Sequence, residues 1–177
     1  MPEFDLSPCY VYWGVAGAEA SLGMTFGGVN VSIQEQKADV KFDQAGDVPV
    51  DKVHMGYLIE ITCNLAEVSV DLFSTIMQGA AYTIDGTKEK AVITPPIGAN
   101  DRDYHSGSLI LKRVINGIAS ADPNDWFTYP VASPSIMGDM NFNATNQRAI
   151  PVKFTCYQRE TLGVYSDIMT VGDETAT

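Results

Sequence analysis

Apolar and polar residues alternate at every second position along much of this chain. The alternation is clearest in four segments, residues 28–36, 38–43, 57–65 and 150–159. In the first of them, Val29, Val31 and Ile33 lie on one face of an extended strand and Asn30 and Ser32 on the other. A period of two is typical of β-strands with one buried face. The pattern therefore predicts an antiparallel sheet with one apolar and one wet face.

Helical spacing of apolar residues occurs in one place only, where Val68, Leu72 and Ile76 line up. They predict a helix over residues 66–78, with Asn64 and Glu67 as a capping box. Shorter strands are predicted over residues 10–13, 92–94, 108–114, 126–129 and 164–170. At 177 residues the chain has the length of one domain. The predicted fold is mainly β, an antiparallel β-sandwich or β-barrel with one flanking short α-helix, in a single domain over residues 1–177.

The charge balance excludes several classes of function. The chain carries 22 acidic and 11 basic residues, for a net charge of −11. Affinity for nucleic acids comes largely from Lys and Arg, so specific binding of DNA or RNA is disfavoured, and so is an anionic membrane surface. No apolar run approaches the roughly 18 residues of a membrane helix, and no signal peptide is recognisable. We expect a soluble protein without a membrane anchor, with a flexible acidic tail from about residue 171.

Candidate chemistry is sparse. The three cysteines are widely spaced, which favours free thiols in a reducing compartment. Asp101, Asp103 and His105 could form a metal or acid–base set, but a solvated loop over residues 95–107 accounts for them as well. The only other histidine is His54. We expect no catalytic residue, no metal site and no cofactor.

The polar face allows two interpretations. It could be the outer surface of an ordinary sandwich, and a monomeric ligand-binding module is one such protein, with Tyr10, Tyr12 and Trp13 as its aromatic cluster. Alternatively, the face lines a water-filled channel. Only many-stranded barrels enclose an aqueous lumen, so a ring of identical chains would be required.

Two segments resemble the tail tube (major tail) proteins of bacteriophages. The run from Leu22 to Val29, Leu-Gly-Met-Thr-Phe-Gly-Gly-Val, is similar to that family's Leu-Gly-x-Thr-x-Gly-Gly-Val opening. The run from Asp43 to Asp51, Asp-Gln-Ala-Gly-Asp-Val-Pro-Val-Asp, is similar to its Asp-Gln-x-Gly-x-x-Pro-x-Asp segment. The segment from Leu65 to Glu67 and the strand opening at Ile150 also fit, so the resemblance extends over roughly residues 20–160.

The resemblance implies hexameric rings that stack into a tube, through which phage DNA passes into the host without specific binding. The partners would be further copies of this chain and other tail proteins (tape measure, terminator, baseplate or sheath). The location would be the virion tail, assembled in the cytoplasm of the host bacterium. The lumen-facing residues would be Asn30, Ser32, Gln34, Asp39, Lys41, Glu60, Thr62 and Asn64.

The connection over residues 43–56 would form a ring-stacking or inter-subunit loop. Its residues would be Asp43, Gln44, Gly46, Asp47, Pro49, Asp51, Lys52 and His54. The tube protein of a contractile injection or type VI secretion system, which shares the architecture, is a close alternative.

Overall fold

The fold is mainly β, as the alternation predicts. The computed structural model describes residues 8–41, 48–140 and 148–176. Strands account for 56% of the described residues and helices for 9%, and the sheets are antiparallel. This confirms the mainly β, antiparallel part of the predicted fold class. None of the helices in these ranges has the length and hydropathy that a membrane span requires.

The described part of the chain contains the following elements in order. The strands are β1 (Cys9–Gly14), β2 (Ala20–Ser21), β3 (Thr25–Val40), β4 (Asp51–Leu65), β5 (Ala80–Asp85), β6 (Lys88–Ile93), β7 (Gly107–Ile115), β8 (Ile118–Ala119), β9 (Trp126–Ile136), β10 (Ile150–Tyr157), β11 (Glu160–Thr161), β12 (Val164–Tyr165) and β13 (Thr170–Val171). The helices are α1 (Val70–Ile76) and α2 (Asp101–Tyr104), with a 3-10 turn at Pro123–Asp125.

One large antiparallel sheet organises the molecule. Its strand order is β2-β1-β7-β9-β10-β4-β3, with β8 paired to β7 and β13 paired to β9. β1 and β3, which lie near the two ends of this order, come into contact with each other. The sheet is therefore strongly curled, with its apolar face inside. The β5–β6 and β11–β12 pairs form two small separate sheets.

The core lies inside this curl. Val11 of β1, Leu109 of β7, Ile61 of β4 and Phe154 of β10 are all fully buried in one apolar cluster. Trp13 joins them, packs against Phe154 and donates its indole N–H to the Ala132 carbonyl oxygen at 3.0 Å. Burial of these large side chains is the main force that holds the sheet in its curled form.

β3 and β4 are longer than the alternation predicts. Residues 28–36 and 38–43, predicted as two segments, belong largely to the single strand β3, and β4 begins at Asp51 rather than at Tyr57. A bulge between Phe26 and Val29 accommodates Gly27 and Gly28, both with positive φ of 78° and 86°. Glycine adopts that backbone conformation without strain, which explains the Gly-Gly pair in the motif.

The helices differ from the prediction in number and extent. There are two short helices in the described residues instead of one, because the polar stretch after Asn100 forms α2. α1 begins at Val70, where the Ser69 hydroxyl caps it by accepting from the Leu72 N–H at 3.1 Å. The capping box at Asn64 was wrong, because Asn64 is still part of β4. Val171, where the predicted tail begins, lies in β13 and pairs with Phe127.

Candidate functional site

The polar face of the sheet consists of rows that run across four strands. In one row, Ser32 lies opposite Glu60, Glu60 opposite Thr155, and Thr155 opposite Ser133. The next row consists of Asn30, Thr62, Lys153 and Ser135. Residues directly opposite each other in antiparallel strands point to the same side of the sheet. The structure thus brings five of the predicted lumen residues, Asn30, Ser32, Gln34, Glu60 and Thr62, onto one face, and Asn64 continues it.

A single ion pair dominates the electrostatics of this face. The Lys153 Nζ lies 2.9 Å from the Glu60 Oε1, and both side chains are about two-thirds shielded from solvent. The pair neutralises the one carboxylate in the two rows. Apart from it, the rows carry hydroxyl and amide groups only, so the face is polar but close to neutral rather than acidic.

Asp39 was wrongly grouped with this face. Because β3 is one continuous strand, Asp39 lies an odd number of residues after Asn30 and points to the opposite side. There it faces Lys52, with the Lys52 Nζ 3.7 Å from its carboxylate. The alternation predicts residues 38–43 as a separate strand, with Asp39 on its polar face. The wrong placement of Asp39 comes from this division. Lys41 lies just beyond the end of β3.

The distal halves of β3 and β4 form a two-stranded ribbon that leaves the sheet. β10 pairs with β4 only between Ile59 and Leu65, so residues 51–58 pair with β3 alone. We call residues 34–40 and 51–58 the ribbon. None of its side chains is buried. At roughly 3.3 Å per residue, its seven β3 residues span about 20 Å.

Charged pairs hold one side of the ribbon together. Glu35 is 2.6 Å from the Lys37 Nζ and 3.1 Å from the His54 Nδ1. The His54 ring packs on Tyr57 with centroids 4.7 Å apart. The hydrogen bond from Lys37 lowers the pKa of Glu35, and the charges of Lys37 and His54 add to this effect. The ribbon therefore has a defined local arrangement although none of its side chains is buried.

The ribbon also exposes apolar side chains. Val53, Met55 and Tyr57 are 50%, 67% and 51% exposed. Met55 lies at the bulge where the β3–β4 register shifts between Gln36 and Lys37. Val48 and Val50, which precede β4, are exposed as well. Val53 faces Ala38 and Tyr57 faces Glu35, three residues apart on β3, so these two side chains lie on opposite faces of the ribbon and it exposes apolar surface on both.

The second open feature is the outer edge of β3. β3 pairs with β4 along one side, and no strand of the described residues pairs with it along the other. It has 16 residues and is the longest strand here. An unpaired strand of that length presents a row of free backbone N–H and C=O groups to which another strand can add.

The predicted stacking loop is only partly a loop. Asp51, Lys52 and His54 lie in β4 and belong to the ribbon. Pro49 is exposed in the connection just before that strand. The prediction placed a loop there because of the Gly, Pro and Asp residues, whereas pairing with β3 continues the strand. Asp43, Gln44, Gly46 and Asp47 lie outside the described residues.

Two of the other polar candidates, Asp101 and His105, have structural partners. Asp101 accepts hydrogen bonds from Gln78 and, at 2.9 Å, from the Tyr157 hydroxyl. Burial, with help from this bond, raises the pKa of Tyr157 to about 12. His105 contacts the Thr75 carbonyl oxygen through Nε2 at 3.1 Å. Within the described ranges, no cluster of three or more His, Cys, Asp or Glu side chains could hold a metal ion.

The aromatic cluster near the N-terminus is not a surface platform. Trp13 is only 8% exposed and belongs to the core. Tyr12, its neighbour on the other side of β1, is half-buried beside Lys112, whose Nζ lies 4.4 Å from the centre of the ring. The same Nζ lies 3.8 Å from the Trp126 ring.

Sequence reasoning missed the part of the polar face that β9 supplies. Ser133 and Ser135 belong to β9, which the sequence predicts only as far as residue 129. Pro130 and Pro134 argue against a strand there, because proline cannot donate to a ladder. Pro130 falls at the register irregularity opposite β7, and Pro134 lies beyond the last β7 partner, Ala132. Proline is tolerated at both kinds of position. Ser133 is buried, with Gln78 3.3 Å away, so of these two serines only Ser135 remains partly exposed on this face.

Comparison with known proteins adds no relative to this description. Neither the family models nor the curated proteins contain a match to this sequence.

Proposed function

We propose that this protein is the structural subunit of a phage tail tube, in which hexameric rings stack into a hollow conduit for DNA. Two lines of support meet in the same part of the molecule. The two sequence segments that resemble tail tube proteins lie at the start of β3 and in the connection that leads to β4. β3 and β4 are also the strands that contain the free edge, the ribbon and half of the polar face.

The free edge of β3 is the observation that carries the proposal. An exposed edge of 16 residues invites addition of another strand, and natural monomers normally shorten or cover such edges. In this proposal a different surface of a second copy pairs along it, so the contact is heterologous; pairing of β3 with β3 would instead give a closed two-fold dimer. Heterologous contacts close only into rings or continue as filaments. A ring of curled sheets in this proposal has one continuous inner wall.

The chemistry of the polar face suits the wall of a DNA conduit. Asn30, Ser32, Thr62 and the paired Glu60 and Lys153 offer hydroxyl, amide and compensated charges. Unpaired Lys and Arg would retain phosphates through counterion release, and a strongly acidic wall would repel the DNA. A nearly neutral polar surface does neither, so DNA can slide past it.

The ribbon is the contact between subunits or between rings in this proposal. It is about 20 Å long, and Val53 and Met55 are half-exposed or more. Burial of such side chains in a neighbouring copy removes apolar surface from water, at roughly 25 cal/mol per Å2. In this proposal Asp39 joins Lys52 and His54, which were already predicted for such a contact, instead of lining the lumen.

A pair of substitutions tests the assignment. We expect Met55→Asp with Val53→Asp to abolish tubes, because buried unpaired carboxylates are costly. Ile84→Asp is the matched control, since Ile84 is 61% exposed on the separate β5–β6 hairpin. Sedimentation velocity and negative-stain electron microscopy measure the outcome. Tubes of unchanged length from the double ribbon variant would show that the ribbon is not an assembly contact.

A second substitution tests the lumen. Glu60→Lys places a second cation beside Lys153 on the polar face, and we expect tubes that assemble but deliver DNA poorly. Ser32→Thr, a neutral change in the same row, is the control. Failure of Glu60→Lys to assemble at all would place Glu60 at a contact between subunits instead.

A further inference from the structure

A groove runs along the last strand of the curled sheet, on the apolar side of that strand. It has a volume of about 540 Å3, and Val29, Val31 and Ile33 of β3 form one of its walls. Phe127 of β9 and Val171 of β13 line the opposite wall. Among the described residues, β3 is the final strand in the sheet order. The groove therefore lies at the same margin of the sheet as the free edge of β3.

The groove exposes large apolar side chains on both walls. Val31 and Ile33 are 36% and 51% exposed on one side, and Phe127 and Val171 are 45% and 58% exposed on the other. Contact between such walls and water is unfavourable, at roughly 25 cal/mol per Å2. Contiguous apolar surface on a soluble protein usually marks a site where another molecule binds.

One end of the groove is polar. Leu111 and Phe127 lie opposite each other in β7 and β9, and the polar end follows directly after this pair. There the Arg113 Nη1 is 3.6 Å from the Asp125 Oδ1, so the two charges largely offset each other. Asn124 adds an amide at the same end. The groove therefore suits an occupant with an apolar body and does not select for either sign of charge.

A strand added to the free edge of β3 would fill this groove with its own side chains. Side chains alternate between the two faces of a strand, so Val31 points into the groove while Asn30 and Ser32 point to the polar face. A partner strand follows the same alternation, because residues opposite each other in paired strands point to the same side. Half of its side chains therefore meet the groove, and the other half extend the polar face.

We propose that the groove receives alternate apolar side chains of a strand from a second copy, which pairs along the free edge of β3 in the ring. The inference rests on the proposed tube assembly and adds the inward half of its contact, formed by β9 and β13. It also sets a requirement for the incoming strand, which needs apolar residues at alternate positions and polar residues between them. Strand addition takes its affinity from backbone hydrogen bonds and its specificity from pockets for alternate side chains.

A small molecule suits the site less well than a strand. It would cover the apolar walls but leave the N–H and C=O groups of the β3 edge without a backbone partner. A strand meets both needs at once, because the groove and the edge share β3. A second copy is favoured over an unrelated peptide, since the proposed ring contact brings a strand of another copy to this edge.

Val171→Asn tests the proposal, because Val171 lies in the groove wall but not on β3. Edge pairing alone leaves the side chain exposed, whereas a filled groove would bury an amide in place of two methyl groups. We expect the concentration needed for ring formation, measured by sedimentation velocity, to rise about tenfold or more. Val164→Asn is the matched control, since Val164 is 67% exposed on β12 and lies outside the groove. Urea unfolding of both unassembled variants checks that they fold.

Cys9 reports directly on the filling of the groove. It lines the groove, whereas Cys63 and Cys156 are buried in the core. We expect N-ethylmaleimide to alkylate Cys9 about fivefold or more slowly in assembled protein than in the unassembled chain, because a thiol must be accessible to react. Mass spectrometry of the digested protein measures both rates. In Val164→Cys, the added thiol should react at the same rate in both states.

Three results would overturn this inference. Two of them, assembly of Val171→Asn at wild-type concentrations and equal reactivity of Cys9 in assembled and unassembled protein, leave the tube proposal standing, since the wild type still assembles. The third, protection of Cys9 in the unassembled chain, would assign the groove to another part of the same chain. A wild type that forms no rings at any concentration would instead refute the proposed function, and this inference with it.

Discussion

The Glu60–Lys153 pair gives the sharpest quantitative test of the polar face. We consider Glu60→Gln, which keeps the shape of the side chain, Lys153→Met, which keeps most of its apolar stem, and the two together. A double-mutant cycle of this kind isolates the interaction between the two side chains from their other contacts. The measurement requires unassembled protein, because association between copies would add its own free energy to the measured stability.

The structure sets the expected size of the coupling. The two charged atoms are 2.9 Å apart, and the Lys153 and Glu60 side chains are 27% and 31% exposed. Fully exposed pairs contribute about 0.2–1 kcal/mol, because solvent screens the charges and both side chains lose freedom. This pair is better shielded than those, so we expect a coupling at the upper end, about 1 kcal/mol at low salt.

The four proteins of the cycle are unfolded in urea at pH 7, and fluorescence and circular dichroism both monitor the transition. The free energies of unfolding then give the coupling. Agreement between the two probes establishes that unfolding is two-state. We expect the coupling to decrease in about 0.5 M NaCl, since salt screens charges that remain partly exposed. A coupling within the additivity error of about 0.3–0.5 kcal/mol, or one that salt does not change, would refute a neutralised pair on this face.

Three further predictions concern the core, the thiols and the ribbon. Trp13→Phe should lower the free energy of unfolding by about 1–3 kcal/mol, because the Ala132 carbonyl oxygen loses its buried donor, and urea unfolding against the milder Tyr12→Phe checks this. Burial raises the pKa of Cys63 and Cys156 to about 12, so at pH 8 N-ethylmaleimide should modify Cys9 first, which mass spectrometry of the digested protein detects. Glu35 has a lowered pKa when folded, so its stabilising contribution is present above its ordinary pKa of 4.5 and is lost as pH falls through the lower value. The protection factors of the ribbon amides, which allow for slower intrinsic exchange in acid, should therefore decrease as the pH falls, and Glu35→Gln should remove that decrease; identical pH profiles of the protection factors for the two proteins would contradict it.

The strands with strong alternation could be predicted from sequence. Residues 57–65 and 150–157 alternate cleanly because one face of each packs into the core, and the structure pairs them directly. The full length of β3 was harder to predict, because a strand that is exposed to solvent need not keep an apolar face along its whole length. Only the pairing with β4, in which the extra residue Met55 accounts for the register shift, shows that β3 itself continues from Val29 to Val40, so that Asp39 lies on the side opposite to Asn30.

Strand β9 and the ribbon depend on tertiary neighbours that a local pattern does not encode. The prolines of β9 are tolerated because β7 has a register irregularity at Pro130 and has ended by Pro134. Similarly, Lys52 and His54 extend β4 because β3 is long enough to pair with them. The polar positions Asn30, Ser32 and Gln34 along β3 could be predicted. The ion pair between Glu60 and Lys153 on the same face could not, because it depends on the register between β4 and β10.

The central claim is that copies of this chain associate edge to edge into rings that stack as a hollow tube. Negative-stain electron microscopy of the concentrated protein, with sedimentation velocity on the same samples, tests it most directly. We expect rings or tubes with a central hole and sixfold symmetry, and a sedimentation coefficient that rises with concentration. A strictly monomeric species at every concentration, with no ring or tube in the images, would contradict the claim.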